Sequence, residues 1–374
     1  MNWQTDERIV LTLDAGGTNF AFSAIRGGKQ IGKSIVLPAE AKNLQASLTN
    51  VIAGFERLIV EAPAKPVAIS FAFPGPADYP RGIIDNMGNL PAYGGGVALG
   101  PMLTDHFGLP VYVNNDGDLF AYGEAIAGFL PKVNHLLAAA GSPKRYSNLF
   151  AVTLGTGFGG GIVRNGELFL GDNSAAGEIW ILRNKLGNDA FVEEGASIRA
   201  VQGTYAQVTG IEPSQVPSPQ EIFEIGMERA AGNVQAARKA YATLGEVVGD
   251  ALANALTLID GLAVIGGGLS GAAPLFMPRL IEEMNGTIAK YDGSRIPRLA
   301  QKTFNLDDPA QREQFLRGEA REIAVPRSKR TMTYDPLRRL GVGVSELGTN
   351  EAVGIGAYAY ALRQLDASKS VAGS

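Results

Sequence analysis

Residues 9–19 read IVLTLDAGGTN, and residues 150–161 read FAVTLGTGFGGG. Each is an apolar strand carrying Thr-Leu, broken by a glycine-rich turn and followed by a second strand-like run. Glycine leaves its backbone N–H bare, and clustered N–H groups at a strand end suit phosphate oxygens. Two such hairpins in one chain predict two lobes closing on a nucleotide from opposite sides. Between them, after the strand-like run PVYV (110–113), stand Asn115 and Asp116. Asp116 is the candidate acid–base group, and it also suits the N-cap of a helix beginning near Gly117.

A length of 374 residues favours two domains. Hydrophobic residues at 45% and charged residues at 19% describe a chain able to bury large cores. A net charge of −4 supplies no positive field for nucleic acid or anionic membranes. The absence of cysteine excludes disulfides and thiolate chemistry, and two histidines, His106 and His135, exclude a histidine-rich metal site. The start MNWQTDERIV is unlike a signal peptide, and no run approaches 18 uninterrupted apolar residues. The expectation is a soluble cytoplasmic α/β protein with neither a nucleic-acid nor a membrane partner.

Working outward, residues 8–13, 19–25 and 31–37 read as an antiparallel meander. A helix is expected over 43–61, a strand over 66–73, a helix over 99–108, a strand over 110–114 and a helix over 117–130. Asn165-Gly166 makes a two-residue turn after the second hairpin strand. A long helix over 234–260 precedes a buried strand that runs into glycines over 262–271, with a helix to follow over 274–284. The stretch 287–345 holds nine arginines and four prolines with weak periodicity, and reads as a surface insertion. Its acidic residues Asp307, Asp308, Glu313, Glu319 and Glu322 interrupt the positive charge, which speaks against nucleic-acid binding. A last helix over 351–364 carries small residues for close packing, and the residues from 367 on read as a flexible tail.

Three nucleotide-binding motifs appear in this sequence. GGKQIGKS (27–34) matches a P-loop letter for letter, yet Ile-Val-Leu-Pro follows it, so it reads as a lysine-bearing hairpin turn. GTGFGG (155–160) matches the dinucleotide fingerprint but runs into another strand. GGGLSG (266–271) follows a strand and precedes a helix, so it stays eligible as a nucleotide turn.

Phosphoryl transfer needs phosphates held by backbone dipoles and Mg²⁺, an acceptor hydroxyl in line, and a carboxylate for its proton. Asp14, Gly16, Gly17, Thr18 and Asn19 form the first phosphate turn, with Asp14 orienting Mg²⁺ through water. Gly155, Thr156, Gly157 and Gly159 form the second, and Gly266, Gly267 and Gly268 let the chain pass close to the ribose and α-phosphate.

LDAGGTN (13–19), FPGPAD with GIIDNMGNLPAY (73–93), VNNDGDLFAYGEA (113–125), VTLGTGFGGGIVRNGELFLG (152–171), AAGEI (175–179) and VIGGGLS (264–270) occur in that order. Together they resemble the ROK sugar-kinase family, over most of 8–285 and again at 346–364. The resemblance implies a two-lobed actin-like ATPase (ribonuclease H-like) fold with duplicated β-hairpin phosphate loops and an interlobe cleft. A small lobe would comprise 1–116 with 351–366, and a larger lobe 117–350, insertion included. The implied activity is ATP- and Mg²⁺-dependent phosphorylation of a hexose or N-acetylhexosamine, at the 6-hydroxyl and with glucose as the single best choice, by a homodimer. Asp116 would deprotonate the hydroxyl, while Asn89, Asn115, Glu178 and Glu193 bind the ring and Gly75 admits backbone to the sugar. A sugar-binding or regulatory protein of weak catalysis on the same scaffold is the alternative.

Many of these kinases carry a histidine three residues after the Glu178 position and then three cysteines, which together hold a structural zinc. Here those positions are Ile181, Asn184, Leu186 and Phe191. The expectation is a zinc-free variant whose loop is supported by burial of Leu186 and Phe191.

Overall fold

The structure, a computed structural model, describes residues 3–73, 75, 77–85, 90–187 and 189–372. The chain divides into two compact units. The first comprises Met1–Gly123, Phe169–Ala176 and Asn350–Ser374, and the second Glu124–Leu168 and Gly177–Thr349.

In the first unit β1 (Val10–Ala15), β2 (Asn19–Arg26) and β3 (Lys29–Pro38) form an antiparallel meander. Gly27 and Gly28, both at positive φ, make the β2–β3 turn, so the P-loop lookalike is a hairpin and Lys33 lies on an exposed strand. Helix α1 (Leu44–Glu61) starts at Asn43, whose side chain caps Ala46 N–H, and then comes β4 (Ala68–Ala72). Short strands β5 (Ala77–Asp78) and β6 (Ile83–Ile84) pair before α2 (Leu99–Phe107) and β7 (Val111–Asn114). Helix α3 (Asp116–Ile126) follows. The sheet order is β3-β2-β1-β4-β7, with β1, β4 and β7 parallel. Asp14 pairs with Ala72 and Ala72 with Asn114, so three strands end level at their carboxyl ends.

One face of this sheet buries an aromatic ladder, Phe22 on Phe55 at 5.1 Å, Phe55 on Phe71 at 6.1 Å and Phe71 on Phe73 at 6.2 Å. The other face receives the C-terminal helix (Thr349–Ala372) through Tyr358, Ala361 and Leu362. That helix crosses α3 at backbone contact, because a Cβ on Gly356 would stand 2.1 Å from the Leu119 carbonyl oxygen. It also runs through Ala372, past the expected helix end at 364. Its continuation is tied down at Asp366, which accepts from Arg8 at 2.7 Å.

The second unit opens with α4 (Phe129–Ala139), a separate helix where one was expected over 117–130. The first helix ends at Ile126, Gly128 is the N-cap position of the next, and Phe129 N–H donates to Glu124 at the break. Strands β8 (Leu149–Leu154), β9 (Phe158–Arg164) and β10 (Glu167–Leu168) form the second hairpin system. Helices α5 (Ile198–Thr209), α6 (Pro219–Gly226) and α7 (Val234–Ile259) precede β11 (Leu262–Gly266) and α8 (Ala273–Met284). Among the described residues, α7 alone is long and apolar enough to cross a membrane; half of that stretch is buried, and it packs on α5, α6 and α8 as a core helix.

The stretch 287–345 departs from expectation. Hairpins β12 (Thr287–Ala289) with β13 (Arg295–Pro297), and β15 (Arg321–Ala324) with β16 (Thr331–Tyr334), do lie on the surface. But β14 (Lys302–Asn305) and β17 (Arg339–Val344) enter the central sheet, and α9 (Pro309–Arg317) packs beside them. The order is β10-β9-β8-β11-β17-β14, with β8, β11, β17 and β14 parallel. β17 reads RLGVGV and is nearly all buried, a core strand hidden behind a basic start. Its Arg339 is itself buried, bonded to Asp335 at 2.5 Å and set over the Phe315 ring. Each unit therefore builds the same plan, an antiparallel hairpin continued by parallel strands.

Candidate active site

In the first unit the turn after β1 closes through Gly16 N–H donating to the Asn19 carbonyl at 3.1 Å. A Cβ on Gly16 would sit 2.9 Å from that oxygen, so the turn needs glycine there. Gly17, Thr18 and Asn19 are exposed, with Asp14 exposed just before them at the end of β1. Two strands across the sheet, beyond β4, β7 passes into α3 through Asn115-Asp116. Asn115 caps the helix, its Oδ1 accepting from Gly117 N–H at 2.7 Å, while its Nδ2 donates to the Tyr79 hydroxyl at 3.1 Å. Asp116 is the first helical residue, and its Oδ1 also accepts from Gly117 N–H, at 2.9 Å. The cap expected of Asp116 is thus supplied mainly by Asn115.

The Asp116 side chain is reached by solvent yet surrounded by protein. Desolvation pushes its carboxyl pKa up, two backbone hydrogen bonds oppose this, and the nearby Asp14 charge adds to the rise. Gly75 joins this group: a Cβ there would lie 2.6 Å from the Tyr79 hydroxyl and 3.5 Å from Asn115 Nδ2. Tyr79, whose hydroxyl donates to the Phe73 carbonyl, was not singled out in the sequence; a tyrosine after Ala-Asp carries no motif of its own. Asn89 lies outside the described residues.

In the second unit Gly155, Thr156 and Gly157 form the β8–β9 turn, in which Gly155 N–H donates to the Gly157 carbonyl at 3.0 Å, while Gly159 lies just beyond it on β9 opposite Thr153. β9 follows directly, so the dinucleotide reading of 155–160 does not hold. Glu193 binds this turn, accepting from Phe158 N–H at 3.0 Å through Oε2 and from Arg199 at 2.8 Å through Oε1. Gly157 leaves room for it, since a Cβ would meet Oε2 at 2.7 Å. Gly266, Gly267 and Gly268 end β11 against the same strand end. Gly267 has φ +88°, and its Cβ would fall 2.3 Å from the Leu154 carbonyl oxygen, so only glycine fits. Its N–H donates to Thr349 Oγ1 at 3.0 Å.

Glu178 follows Gly177, which lies against Gly160 of β9. The Trp180 indole N–H donates to Glu178 Oε2. Ile181, at the position of the family's histidine, is exposed.

The loop from 182 to 193 corrects the expected apolar support. Leu186 is 51% exposed and Phe191 37%, because the turn at 185–186 points Leu186 outward and Phe191 sits on the rim. The loop is held instead by polar groups. Asn184 is buried, its Oδ1 accepting from Leu186 N–H at 2.9 Å and its N–H donating to the Ala190 carbonyl at 2.9 Å. Lys185 reaches Glu246 of α7 at 2.9 Å and Glu283 of α8 at 2.5 Å, and Arg279 bonds Glu246 at 2.8 Å. Burial works against the charges, yet Lys185 and Arg279 hold Glu246 below the usual carboxylate range. A zinc-ligand set does not fit here: the chain has no cysteine, and His106 and His135 lie on α2 and α4. Among the described residues no three His, Cys, Asp or Glu side chains are grouped to hold a metal ion.

Both units carry glycine turns at the ends of their central strands, and the fold is of the actin-like class. The profile of the ROK family matches residues 10–305, and the chain belongs to that family. A glucokinase from Parabacteroides distasonis is 52% identical, with a TM-score of 0.90 over 97% of this chain and 99% of its own. An N-acetyl-D-glucosamine kinase from Escherichia coli O127:H6 is 26% identical over 307 residues, 76% of this chain and 91% of its own. The fold also matches a ROK glucokinase from Streptomyces griseus, solved with glucose and AMPPNP, at 18% identity and a TM-score of 0.59 over 93% of this chain and 98% of its own.

Proposed function

We propose that this ATP-dependent sugar kinase transfers the γ-phosphoryl group to a hydroxyl of a hexose or N-acetylhexosamine, with Asp116 as general base. The 6-hydroxyl of glucose is the preferred acceptor in this reading. The observation that carries it is Asp116 itself, a carboxylate made more basic by desolvation and by Asp14, at a strand end beside a phosphate-type turn. The acceptor oxygen attacks the γ-phosphorus as the bond to the β–γ bridging oxygen breaks. The hydroxyl proton passes to Asp116, and sugar phosphate and ADP leave.

In the first unit, backbone N–H groups of 16–19 take phosphate oxygens, and Gly75, Asn115 and Asn89 serve the sugar. In the second unit, Gly155, Thr156, Gly157 and Gly159 take phosphate, and Gly266, Gly267 and Gly268 admit the ribose and α-phosphate. Glu178 and Glu193 accept sugar hydroxyls there. Asp14 suits Mg²⁺ held through water, since this ion binds one or two carboxylates together with substrate phosphates rather than an all-protein cage. Bound there, Mg²⁺ would offset the charge on the phosphate oxygens. The reading extends to a cytoplasmic homodimer.

A coupled ADP-release assay across glucose, fructose, mannose, N-acetylglucosamine and N-acetylmannosamine tests the reading. Turnover on at least one is expected. Sugar binding without turnover on any would favour the catalytically weak sugar-binding or regulatory protein, which Ile181 alone supports.

A further inference from the structure

The second unit exposes an apolar cluster beside Glu178. Trp180 is 39% exposed, Phe191 37% and Ile181 57%, although the residues next to them, Ile179 and Val192, are buried. Trp180 and Phe191 meet edge to face, with centroids 5.8 Å apart and planes at 85°. Their backbone is stiff. Val192 N–H donates to the Leu182 carbonyl at 2.7 Å, and Phe191 bridges Arg183. The indole N–H is spent on Glu178, which leaves the ring faces as what Trp180 offers. Large apolar side chains on a rigid frame beside a polar acid mark a ligand surface. The ligand must be apolar on one side and rich in hydroxyls on its edge. A pyranose has that character, with C–H groups on its faces and hydroxyls around its rim.

We propose that Trp180, with Phe191 behind it, is an aromatic wall that stacks on the C–H face of the sugar whose hydroxyl Glu178 accepts. The π face is electron-rich and attracts the polarised C–H groups, while the indole N–H holds Glu178 at the rim. This inference rests on Glu178 being a sugar ligand. The wall makes Trp180 a specificity determinant: a pyranose whose stacked face is blocked by an axial hydroxyl loses the contact.

The chain has two tryptophans, so in a Trp3→Phe background the indole fluorescence reports Trp180 alone. Titration with glucose and with N-acetylglucosamine, without ATP, is expected to give a saturable fluorescence change for the sugar that is turned over. Trp180→Ala should raise the sugar KM about tenfold, the strength of one aromatic contact, with kcat and the ATP KM within about threefold. Trp180→Phe keeps a ring but loses the N–H, and should stay within about threefold of the wild type. If Phe behaves like Ala, the hydrogen bond and not stacking carries the effect, and the wall is overturned. Phe191→Ala gives a second reading should Trp180→Ala fail to fold. Glu178→Gln separates the two levels: weakened sugar binding in it, with none in Trp180→Ala, overturns the wall alone. Unchanged binding in Glu178→Gln removes the Glu178 assignment instead.

Discussion

A Cβ at Gly267 would stand 2.3 Å from the Leu154 carbonyl and 2.6 Å from its nitrogen, both backbone atoms that move only with the strand. Gly267→Ala is therefore expected to cost more than about 1 kcal/mol, since φ +88° is also hostile to a side chain. Urea unfolding reads the loss, and the ATP KM should rise with it. Asp116 behaves in the opposite sense. Its folded-state pKa is raised, so its contribution to stability is complete while it is protonated and is lost as pH rises through that value. Asp116→Asn should melt higher than the wild type at pH 8, with the margin vanishing toward pH 4, while kcat falls by about 10²-fold or more. Calorimetry and steady-state kinetics check the two halves. The acid limb of the wild-type kcat profile should lie above the ordinary carboxylate value of about 3.9. That Asn115-Asp116 stands where a short apolar strand passes into a helix was legible from the run PVYV and the residues after it. The hydrogen bonds of Tyr79 to Asn115 and of Trp180 to Glu178 were not, because they join residues 36 and 2 positions apart that no spacing rule connects.

The loop between the 3₁₀ turns at Ile179–Ile181 and Val192–Glu194 is held by other groups than the apolar pair expected to support it. The missing metal ligands were plain in the sequence, and apolar replacements at 186 and 191 suggested burial. In a turn this tight the side chains of Leu186 and Phe191 have no core to enter, whereas the long arm of Lys185 reaches two helices. Lys185→Ala leaves Glu246 and Glu283 without their shared partner and should cost about 1–2 kcal/mol, between exposed and buried ion pairs. Faster tryptic cleavage after Arg183 and a higher sugar KM are expected with it, while chelators leave wild-type cleavage unchanged. Opposing burial, Lys185 and Arg279 depress Glu246, so its share of stability is present above the usual ~4.3 and lost as pH falls through its lower folded value. Burial lowers Lys185, but its bonds to Glu283 and Glu246 win and raise it, so its share is lost only above the usual ~10.4. Cleavage of the loop, divided at each pH by that of an unstructured peptide to remove trypsin's own titration, should therefore stay flat between about pH 5 and pH 10.

Across the whole chain, the duplicated hairpin was legible because a strand, a glycine turn and a second strand leave a local signature that survives in any surroundings. The far edge of the second sheet was not. β17 alternates glycine with apolar residues, and Gly341 and Gly343 are needed because Leu306 and Phe129 lie against them, a tertiary fact without a local trace. Arginine density over 287–345 drew attention to the surface, although Arg339 is buried and bonded within the unit. The consequence is that the stretch has two kinds of residue with opposite tolerance to removal. Deleting 287–345 removes β14 and β17, exposes the edge of β11 and should leave insoluble protein, since β11 is buried along its whole length. Excising only 322–333 is different, because Arg321 and Tyr334 are paired partners across the β15–β16 ladder. An Asn-Gly link closes such a pair as a two-residue hairpin turn. That shortened chain should purify as the wild type does, melt within about 2 °C of it, as expected where less than about 1 kcal/mol is lost, and keep its sugar-kinase turnover. A melting point lowered by ten degrees or more would place the β15–β16 hairpin inside the cooperative core of the second unit.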